Sequence, residues 1–229
     1  MRRFVPLLLL LAACGGPSRP RPAAAPVPPP APAVEPAAPV PPPIVQFQSV
    51  WTRSPGLRLR GETSMTPLPW MFMRLEVLRA DTTDLLVRCA VCPGAPTGWL
   101  ERAAVVHYAP APIDAARMEL ADFAFAVRDA ASRRDIRALR PVMARTFAGT
   151  LGPVEVGMLE TLAAWEREGY RSLDRMPFLM DRGITTVSTT QVWASPPEYA
   201  TNPAYADLRA GFRRGPEGWE WVFLVANGR

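Results

Sequence analysis

The chain has 229 residues, 26 basic and 21 acidic side chains, and a formal net charge of +5 at pH 7. Every basic residue is an arginine, and acidic residues are interspersed among them, so the sequence lacks the basic stripe with interleaved aromatics that is typical of nucleic-acid binding. Apart from Cys14 near the start, the chain has two cysteines and one histidine, fewer than the roughly four ligands of a structural zinc site, so neither a metal nor a cofactor is expected.

The first fourteen residues combine a charged start, a short apolar run and small residues before a cysteine. Met1-Arg2-Arg3 precedes the apolar run 4–11, and residues 11–14 read Leu-Ala-Ala-Cys. The run is far shorter than the roughly 20 apolar residues of a membrane-spanning helix, so it predicts an export signal that is later removed.

This segment resembles the signal peptide of bacterial lipoproteins, whose lipobox it matches over residues 11–14. The resemblance implies that residues 1–13 are cleaved off and that acyl chains on Cys14, palmitate among them, anchor the protein to a membrane. Gly15, and not Asp, follows the cysteine. By the same resemblance this implies a place in the cell envelope, at the outer membrane and facing the periplasm. An ordinary secretory signal with a chance cysteine is the alternative.

Residues 14–43 are predicted to form a tether behind the lipidated cysteine. From Pro17 to Pro43 the chain carries 13 prolines in 27 residues, and most of the others are alanine or valine. This composition cannot build a core and favours polyproline II. At about 3.1 Å per residue, the tether could hold the rest of the protein up to roughly 80 Å from the lipid surface. A spacer without a tuned length is an equally good interpretation.

Residues 44–109 are predicted to form a small all-β domain, because short strand-like runs alternate there with turn residues. The runs cover residues 46–52, 57–60, 72–79, 85–89 and 99–106. Five short strands at this spacing are typical of a small barrel.

Three of these runs resemble the bacterial Src-homology-3-like barrel: Leu-Arg-Leu-Arg at 57–60, the apolar run at 77–78 and Gly-Trp-Leu at 98–100. The chain departs from that family at 86–87, where many members carry a Gly-Trp-x-x-Val strand. The resemblance implies a binding role toward cell-wall peptide or a protein partner. Aromatic side chains that could stack on such a ligand form the candidate barrel surface: Trp51, Trp70, Phe72 and Tyr108.

Two further residues of this domain are interpreted structurally. Trp99 belongs to the same aromatic set, but we interpret it as a core residue, because the matching tryptophan of the family is largely structural. His107, at the end of the last run, has no nucleophile in an obvious partnership and is interpreted as a structural histidine.

Cys89 and Cys92 are expected to form a short disulfide across a turn, since an exported protein meets an oxidising compartment. A thioredoxin-like redox site would stand at the start of a helix after a strand, whereas Pro93-Gly94 follows here and the flanks read as strands.

Residues 112–229 are predicted to form an α+β domain. Apolar residues at helical spacing predict three helices, over 120–131, 136–147 and 155–169. Three strands are predicted after them, over 184–193, 205–213 and 219–226. The predicted class is therefore α+β overall: a small all-β Src-homology-3-like barrel, then three helices packed on an antiparallel sheet.

The last two strands, Phe-Arg-Arg at 212–214 and Trp-Glu-Trp at 219–221 on either side of a Gly-Pro-Glu-Gly turn, look like the end of the nuclear-transport-factor-like, or cystatin-like cone, superfamily. The resemblance implies a cone-shaped pocket with these candidate residues: Tyr170, Asp174, Asp181, Trp193, Trp221 and Phe223. That superfamily contains enzymes and binding domains alike, so the fold does not decide the function.

We therefore expect a non-catalytic binding module, anchored by its acyl chains, whose partner is peptidoglycan or an envelope protein. No catalytic residue is assigned. Small-molecule binding, or acid–base catalysis by Tyr170, Asp174 and Asp181, is the alternative. The C-terminal domain has neither cysteine nor histidine, which excludes cysteine-peptidase and zinc-amidase chemistry there.

Overall fold

The computed structural model describes residues 40–151, 154–187, 190–202 and 204–226, and within them the protein is a mixed α+β fold with a large, mostly antiparallel sheet. Seven strands precede the first helix: β1 Ser49–Thr52, β2 Leu57–Arg60, β3 Met65–Leu68, β4 Met71–Ala80, β5 Asp84–Arg88, β6 Thr97–Glu101 and β7 Val105–Val106. One turn of 3-10 helix, Arg102–Ala104, separates the last two.

The rest of the described chain alternates helices and strands. The helices are α1 Leu120–Ser132, α2 Ile136–Leu139, α3 Met158–Arg167, α4 Arg171–Met180 and α5 Glu198–Thr201. The strands are β8 Met143–Leu151, β9 Val154–Val156, β10 Arg182–Val187, β11 Val192–Ser195, β12 Arg209–Gly215 and β13 Gly218–Val225. No helix among the described residues has both the length and the apolar character needed to cross a membrane.

One sheet runs through the whole described fold in the order β3-β2-β6-β5-β4-β10-β11-β12-β13-β8-β9, and β1 pairs with β4 and β7 beside this path. Every pairing is antiparallel except that of β13 with β8. The ten-residue strand β4 is central, because it pairs with β1, β5 and β10. Its contact with β10, where Met71 and Met73 stand opposite Ile184 and Arg182, joins the N-terminal strands to the C-terminal sheet.

Two hydrophobic clusters make up the core. The smaller one lies among the N-terminal strands and includes Val50, Leu59 and Leu75. The larger one lies between the helices and the C-terminal strands, yet it also takes Trp51 and Phe72 from β1 and β4. The two halves therefore share apolar contacts as well as a sheet. The predicted boundary at residues 109–112 stays a prediction, and this segment connects β7 to α1.

The N-terminal predictions differ from the structure mainly at turns. The predicted runs 57–60, 72–79 and 85–89 correspond to β2, β4 and β5. The last run, 99–106, is broken by the 3-10 turn. The sequence does not predict β3, because Pro67 and Pro69 read as turn residues. Pro67 is accommodated because β3 is the last strand on this side of the sheet order, where a proline can sit without breaking the ladder.

The second predicted helix, over 136–147, is wrong in its second half. α2 ends at Leu139, a 3-10 turn over 140–142 follows, and β8 begins at Met143. Met143 and Phe147 are four residues apart, a spacing that fits one face of a helix and one face of a strand equally well. Residues 143–151 form a strand because they pair in parallel with β13.

The remaining helices and strands need four further corrections. The third predicted helix, over 155–169, starts only at α3, because β9 occupies 154–156. The sequence pattern does not predict α4, which has Pro177 inside it. The predicted strand 184–193 is instead the hairpin of β10 and β11, with Thr186 opposite Trp193. The predicted strand 205–213 starts only at Arg209, as β12, and the predicted strand 219–226 occurs as β13.

Candidate functional site

The outer face of the N-terminal sheet carries a row of four side chains across four strands. Arg60 of β2 stands opposite Trp99 of β6, Trp99 opposite Leu86 of β5, and Leu86 opposite Arg79 of β4. Strand alternation explains the arrangement, because the neighbours of this row, such as Leu59, point inward and are buried. Trp99 itself is half-buried. A tryptophan face is thus presented on the outside of the sheet.

Charged side chains surround this tryptophan. The Arg79 guanidinium carbon lies 4.5 Å from the centroid of the Trp99 ring and is positioned for a cation–π contact. Arg79 Nη2 also pairs with Asp81 Oδ2 at 3.1 Å, and Arg60 forms an ion pair with Asp84. The Trp99 cleft, as we call it, has a volume of about 460 Å³ and is lined by Arg60, Gly61, Asp81, Asp84 and Trp99.

Hydrogen bonds to and within the turn between β4 and β5 hold the acidic wall of the Trp99 cleft in place. Arg102 Nε donates to the Asp81 carbonyl oxygen at 2.7 Å, and the Asp81 amide donates to the Asp84 carbonyl oxygen at 2.9 Å. Thr83 Oγ1 donates to the Asp84 carboxylate at 2.8 Å. The acidic side of the cleft is thereby preorganised, while the arginine side chains remain about half exposed.

A second polar group lies at the junction of the two halves, and we call it the Asp181 junction. Asp181 follows α4 and is buried. Its Oδ1 accepts from Trp51 Nε1 and from Arg128 Nε, both at 2.8 Å, and its Oδ2 accepts from Arg128 Nη2 at 3.1 Å. The Arg128 guanidinium carbon lies 4.4 Å from the Trp51 ring centroid. Arg74 Nη1 of β4 lies 4.0 Å from Oδ2, so β1, β4, α1 and the end of α4 meet in one network around this carboxylate.

The four residues of the predicted barrel surface have different surroundings in the structure. Trp51 and Phe72 are 6% and 0% exposed and stack on each other at 6.0 Å in the larger core cluster. Neither ring faces solvent, because the helices of the C-terminal half cover this side of the sheet. Trp70 is half-buried against the smaller cluster, and Tyr108 is half-buried beside α1.

The predicted pocket residues of the C-terminal half do not converge. Asp174 binds Arg134 through two hydrogen bonds at 2.9 and 2.8 Å on the surface, and this carboxylate raises the pKa of Arg134. The Arg134 guanidinium also stands 5.7 Å from the centroid of the Tyr170 ring. Asp181 belongs to the separate junction described above. The three groups of the acid–base alternative are thus divided between an exposed ion pair and a buried one.

The three aromatic candidates also have different surroundings. Trp221 is fully buried and stacks on Trp165 at 5.7 Å. Phe223 is half-buried and lies against Gly211 of the neighbouring strand, and Trp193 is half-buried opposite Phe212. Trp193 and Trp221 stand opposite Phe212 from either side of β12, and Trp193 packs against the larger core cluster that contains Trp221.

A cavity of about 370 Å³ does exist in the C-terminal half, at the end of α4, but none of the six predicted residues lines it. Its lining includes two arginines, Arg175 and Arg182, together with Phe178, which is 75% exposed. Tyr205 contributes its ring, and burial raises the pKa of its hydroxyl. Asp207 lines the cavity as well, so it combines two guanidinium groups and one carboxylate with an aromatic wall.

The predictions for the cysteines have different outcomes. A disulfide joins Cys89 and Cys92, with the Cα atoms 5.4 Å apart, and the Cys92 amide donates to the Cys89 carbonyl oxygen across the turn. Cys14 lies outside the described residues. Within the described residues, no group of three or more His, Cys, Asp or Glu side chains is placed to hold a metal ion.

No protein-family model, curated protein or solved structure matches this chain. The function proposed for it therefore rests on the sequence and on the geometry of the described residues. The main feature of that geometry is Trp99 with its ring of charges, and the interpretation of Trp99 as a core residue does not describe this half-buried ring. The alternation in residues 97–101, with buried Gly98 and Leu100 on either side of Trp99, is the signal that places the ring on the outer face.

Proposed function

We propose that this chain is a bacterial envelope lipoprotein that acts as a non-catalytic binding module. In this proposal Cys14 carries the acyl chains, residues 14–43 form the tether, and the chain lies at the outer membrane facing the periplasm. The N-terminal strands form a Src-homology-3-like barrel, followed by a nuclear-transport-factor-like α+β domain. The Trp99 cleft is the observation that carries the binding role.

The chemistry of the cleft favours a short peptide with free amino and carboxylate groups. Its volume lies within the roughly 300–1,000 Å³ that is usual for ligand sites, and its lining offers an aromatic face between guanidinium and carboxylate groups. The ion pairs that now occupy it are solvent-exposed, and such pairs contribute only about 0–1 kcal/mol each. A ligand can therefore replace them at small cost. Cell-wall peptide, which carries both kinds of charge, fits this requirement.

The test is binding of the soluble chain from Gly15 onward to purified peptidoglycan, with Trp99→Ala as the main variant. Central aromatic residues of a binding site commonly contribute about 2 kcal/mol, so the variant should bind roughly 30-fold more weakly. Trp219→Ala is the matched control, because Trp219 is also half-buried and lies under an arginine, with the Arg214 guanidinium carbon 5.5 Å from its ring centroid.

Equal loss in Trp99→Ala and Trp219→Ala, or no sedimentation of the unaltered chain with peptidoglycan, would contradict the proposed ligand. In the second case, crosslinking in intact cells decides between a protein partner and no partner in the envelope. A Trp99→Ala variant that keeps the same crosslinked products would remove the cleft from the proposal altogether.

The anchor is tested separately by the mass of the mature protein. Cleavage before Cys14 and addition of two or three acyl chains should give a fragment that begins at residue 14 and is heavier by the mass of those chains. Cys14→Ser should leave the protein unlipidated and release it from the membrane fraction. A free thiol at Cys14 in native protein would refute the anchor.

The cavity at the end of α4 supports a second candidate function, the binding of a small anion with an apolar part. Arg175, and Arg182 beside its exposed ion pair with Glu198, would bind the charge, and the exposed Phe178 ring would cover the apolar part. Benzoate and inorganic phosphate are suitable probes in a thermal-shift experiment, since a bound ligand raises the apparent stability. Stabilisation by benzoate that disappears in Arg175→Ala would support this function, and no shift with either probe would refute it.

A further inference from the structure

A β-bulge in β4 turns one arginine toward the Trp99 ring. Val77 pairs with Val87 and is buried on the inner face of the sheet, so strict alternation would turn residue 79 inward as well. The register shifts between Val77 and Arg79, and Arg79 therefore stands opposite Leu86 on the outer face. Bulges commonly re-aim a side chain beside a functional site. The contact between Arg79 and Trp99 thus depends on this bulge.

The contacts of Arg79 show how the residues of the cleft bind a cation. The guanidinium carbon lies 4.5 Å from the centroid of the Trp99 ring, and Arg79 Nη2 lies 3.1 Å from Asp81 Oδ2. Trp99 and Asp81 both line the Trp99 cleft. The Arg79 side chain is exposed, so it can turn into solvent without a change in the sheet. A ligand cation that contacts this face of the ring and this carboxylate would take the place of Arg79.

The charges of the cleft lining favour a cation in this place. The lining contains two carboxylates, on Asp81 and Asp84, and one guanidinium, on Arg60. With Arg79 on the ring, two positive groups face two negative groups. When Arg79 turns away, the negative groups exceed the positive ones by one, and a ligand cation restores the balance.

The opposite arrangement, a ligand carboxylate on Arg60, is less favourable. Asp84 already pairs with Arg60, and Asp84 is half-buried and accepts a hydrogen bond from Thr83 Oγ1 at 2.8 Å. Just outside the lining, Arg102 donates to the Asp81 carbonyl oxygen and Glu101 stands opposite Asp84, so these two neighbours add no net charge. A ligand carboxylate would have to displace a carboxylate that the turn holds in place.

We propose that the Trp99 cleft selects a primary ammonium group carried on an aliphatic stem, and that this group displaces Arg79 from the Trp99 ring and pairs with Asp81. The inference rests on the proposed function and names the group of the ligand that the cleft recognises. Arg79 is then a competitor within the chain. It keeps the cleft neutral without a ligand, and it lowers the affinity for every cation that cannot replace both of its contacts.

The experiment titrates blocked amino acids into the soluble chain from Gly15 onward and follows the Trp99 indole N–H signal in ¹⁵N NMR spectra. Loss of one indole signal in Trp99→Phe assigns it. Nα-acetyl-lysine amide supplies the ammonium group, and Nα-acetyl-norleucine amide is its neutral match. A cation–π contact and an exposed ion pair together should make the lysine probe bind about three- to tenfold more tightly than the norleucine probe.

Three variants separate the roles of the charged residues. Arg79→Gln removes the competitor and should tighten binding of the lysine probe about three- to tenfold, since the same two contacts no longer have to be broken. Asp81→Asn should reduce the preference for lysine over norleucine. Arg58→Gln is the matched control, because Arg58 is exposed on the same strand face as Arg60 and does not line the cleft. It makes the same change in net charge and should leave the affinity for the lysine probe unchanged.

Equal affinity for the two probes, or weaker binding of the lysine probe in Arg79→Gln, would overturn the proposal. Equal tightening in Arg79→Gln and Arg58→Gln would also overturn it, because net charge would then explain the effect. These failures are distinguishable from failure of the proposed function. Sedimentation with peptidoglycan that depends on Trp99, without a preference for the lysine probe, would refute only the ammonium site. A preference for the lysine probe without sedimentation would support the ammonium site and refute peptidoglycan as the ligand.

Discussion

Removing the carboxylate of the Asp181 junction should destabilise the protein far more than removing an equivalent carboxylate on its surface. Asp181 and Asp174 each accept two hydrogen bonds from one arginine at similar distances. The pairs differ in exposure: the side chains of Asp181 and Arg128 are 7% and 17% exposed, whereas those of Asp174 and Arg134 are 40% and 51% exposed. Asp181→Ala and Asp174→Ala therefore form a matched comparison.

The magnitudes depend on the groups that each variant leaves without a partner. Asp181→Ala leaves the Arg128 charge and the Trp51 N–H without their acceptor in a mostly buried place, and breaking such a pair costs about 3–5 kcal/mol. We expect the lower end, about 3 kcal/mol, because Arg128 keeps some contact with solvent. Asp174→Ala should cost about 0–1 kcal/mol, since Arg134 is hydrated in either case. For a protein of this size, 3 kcal/mol corresponds to a fall in Tm of about 6–12 °C.

Urea unfolding followed by tryptophan fluorescence measures both free energies of unfolding, with the m value as a check that the unfolding transition is unchanged. Asp181→Ala combined with Arg128→Met should recover part of the loss, because the second change removes the unpaired charge. If Asp181→Ala and Asp174→Ala agree within about 1 kcal/mol, or if the second change brings no recovery, the reasoning from burial is refuted.

Three smaller predictions concern an ion pair, a glycine and the disulfide. A hydrogen bond from Arg88 lowers the pKa of Glu76 in the folded protein. The ionised pair therefore contributes stability above the usual carboxylate pKa near 4.5, and this stability is lost as the pH falls through the lower folded pKa. In Arg88→Ala, the pKa of Glu76 measured by NMR titration should rise toward 4.5. Gly211→Ala should cost about 1–3 kcal/mol in urea unfolding, because the added methyl group would overlap the Phe223 ring, and Phe223→Leu should relieve part of this cost. Reduction of the disulfide at residues 89–92 should lower the free energy of unfolding by only about 2 kcal/mol, since the loop is short, and a thermal scan with and without reductant measures it.

Elements with an unambiguous local pattern could be predicted from the sequence. α1 has buried apolar residues at helical spacing, including Leu120, Phe123 and Val127, and it occurs where the pattern predicts it. The strand at 57–60 alternates leucine and arginine and occurs as β2 with the predicted bounds. In both cases the local period alone decides between helix and strand.

Elements that depend on long-range contacts could not be predicted. The residues of β8 have a spacing that suits both kinds of structure, and their state is set by pairing with β13, about 75 residues later in the chain. α4 contains Pro177, which argues locally against a helix, but Leu173, Met176 and Met180 on either side of it are buried in the larger core cluster. Packing outweighs the local signal here.

The candidate site could be anticipated only in part. Trp51 was predicted on the barrel surface and Asp181 in the C-terminal pocket, and nothing in the sequence links two residues that are 130 positions apart. In the structure a 2.8 Å hydrogen bond joins them. The face on which Trp99 lies follows from strand alternation, but its charged neighbours come from three other strands and turns. Which charged residues meet around the ring depends on the register between the strands, and that register cannot be read from a single sequence.

The position of β4 has a consequence for anyone who would use part of this chain elsewhere. β4 pairs with β1 and β5 around Glu76, and its first residues, Met71 and Met73, pair with β10. A fragment cut at Pro110 would keep the strand but lose its β10 neighbour, and it would bare the rings of Trp51 and Phe72. Unpaired strand edges next to bare aromatic rings promote aggregation. Grafting the Trp99 cleft onto another scaffold would therefore require resurfacing these positions first.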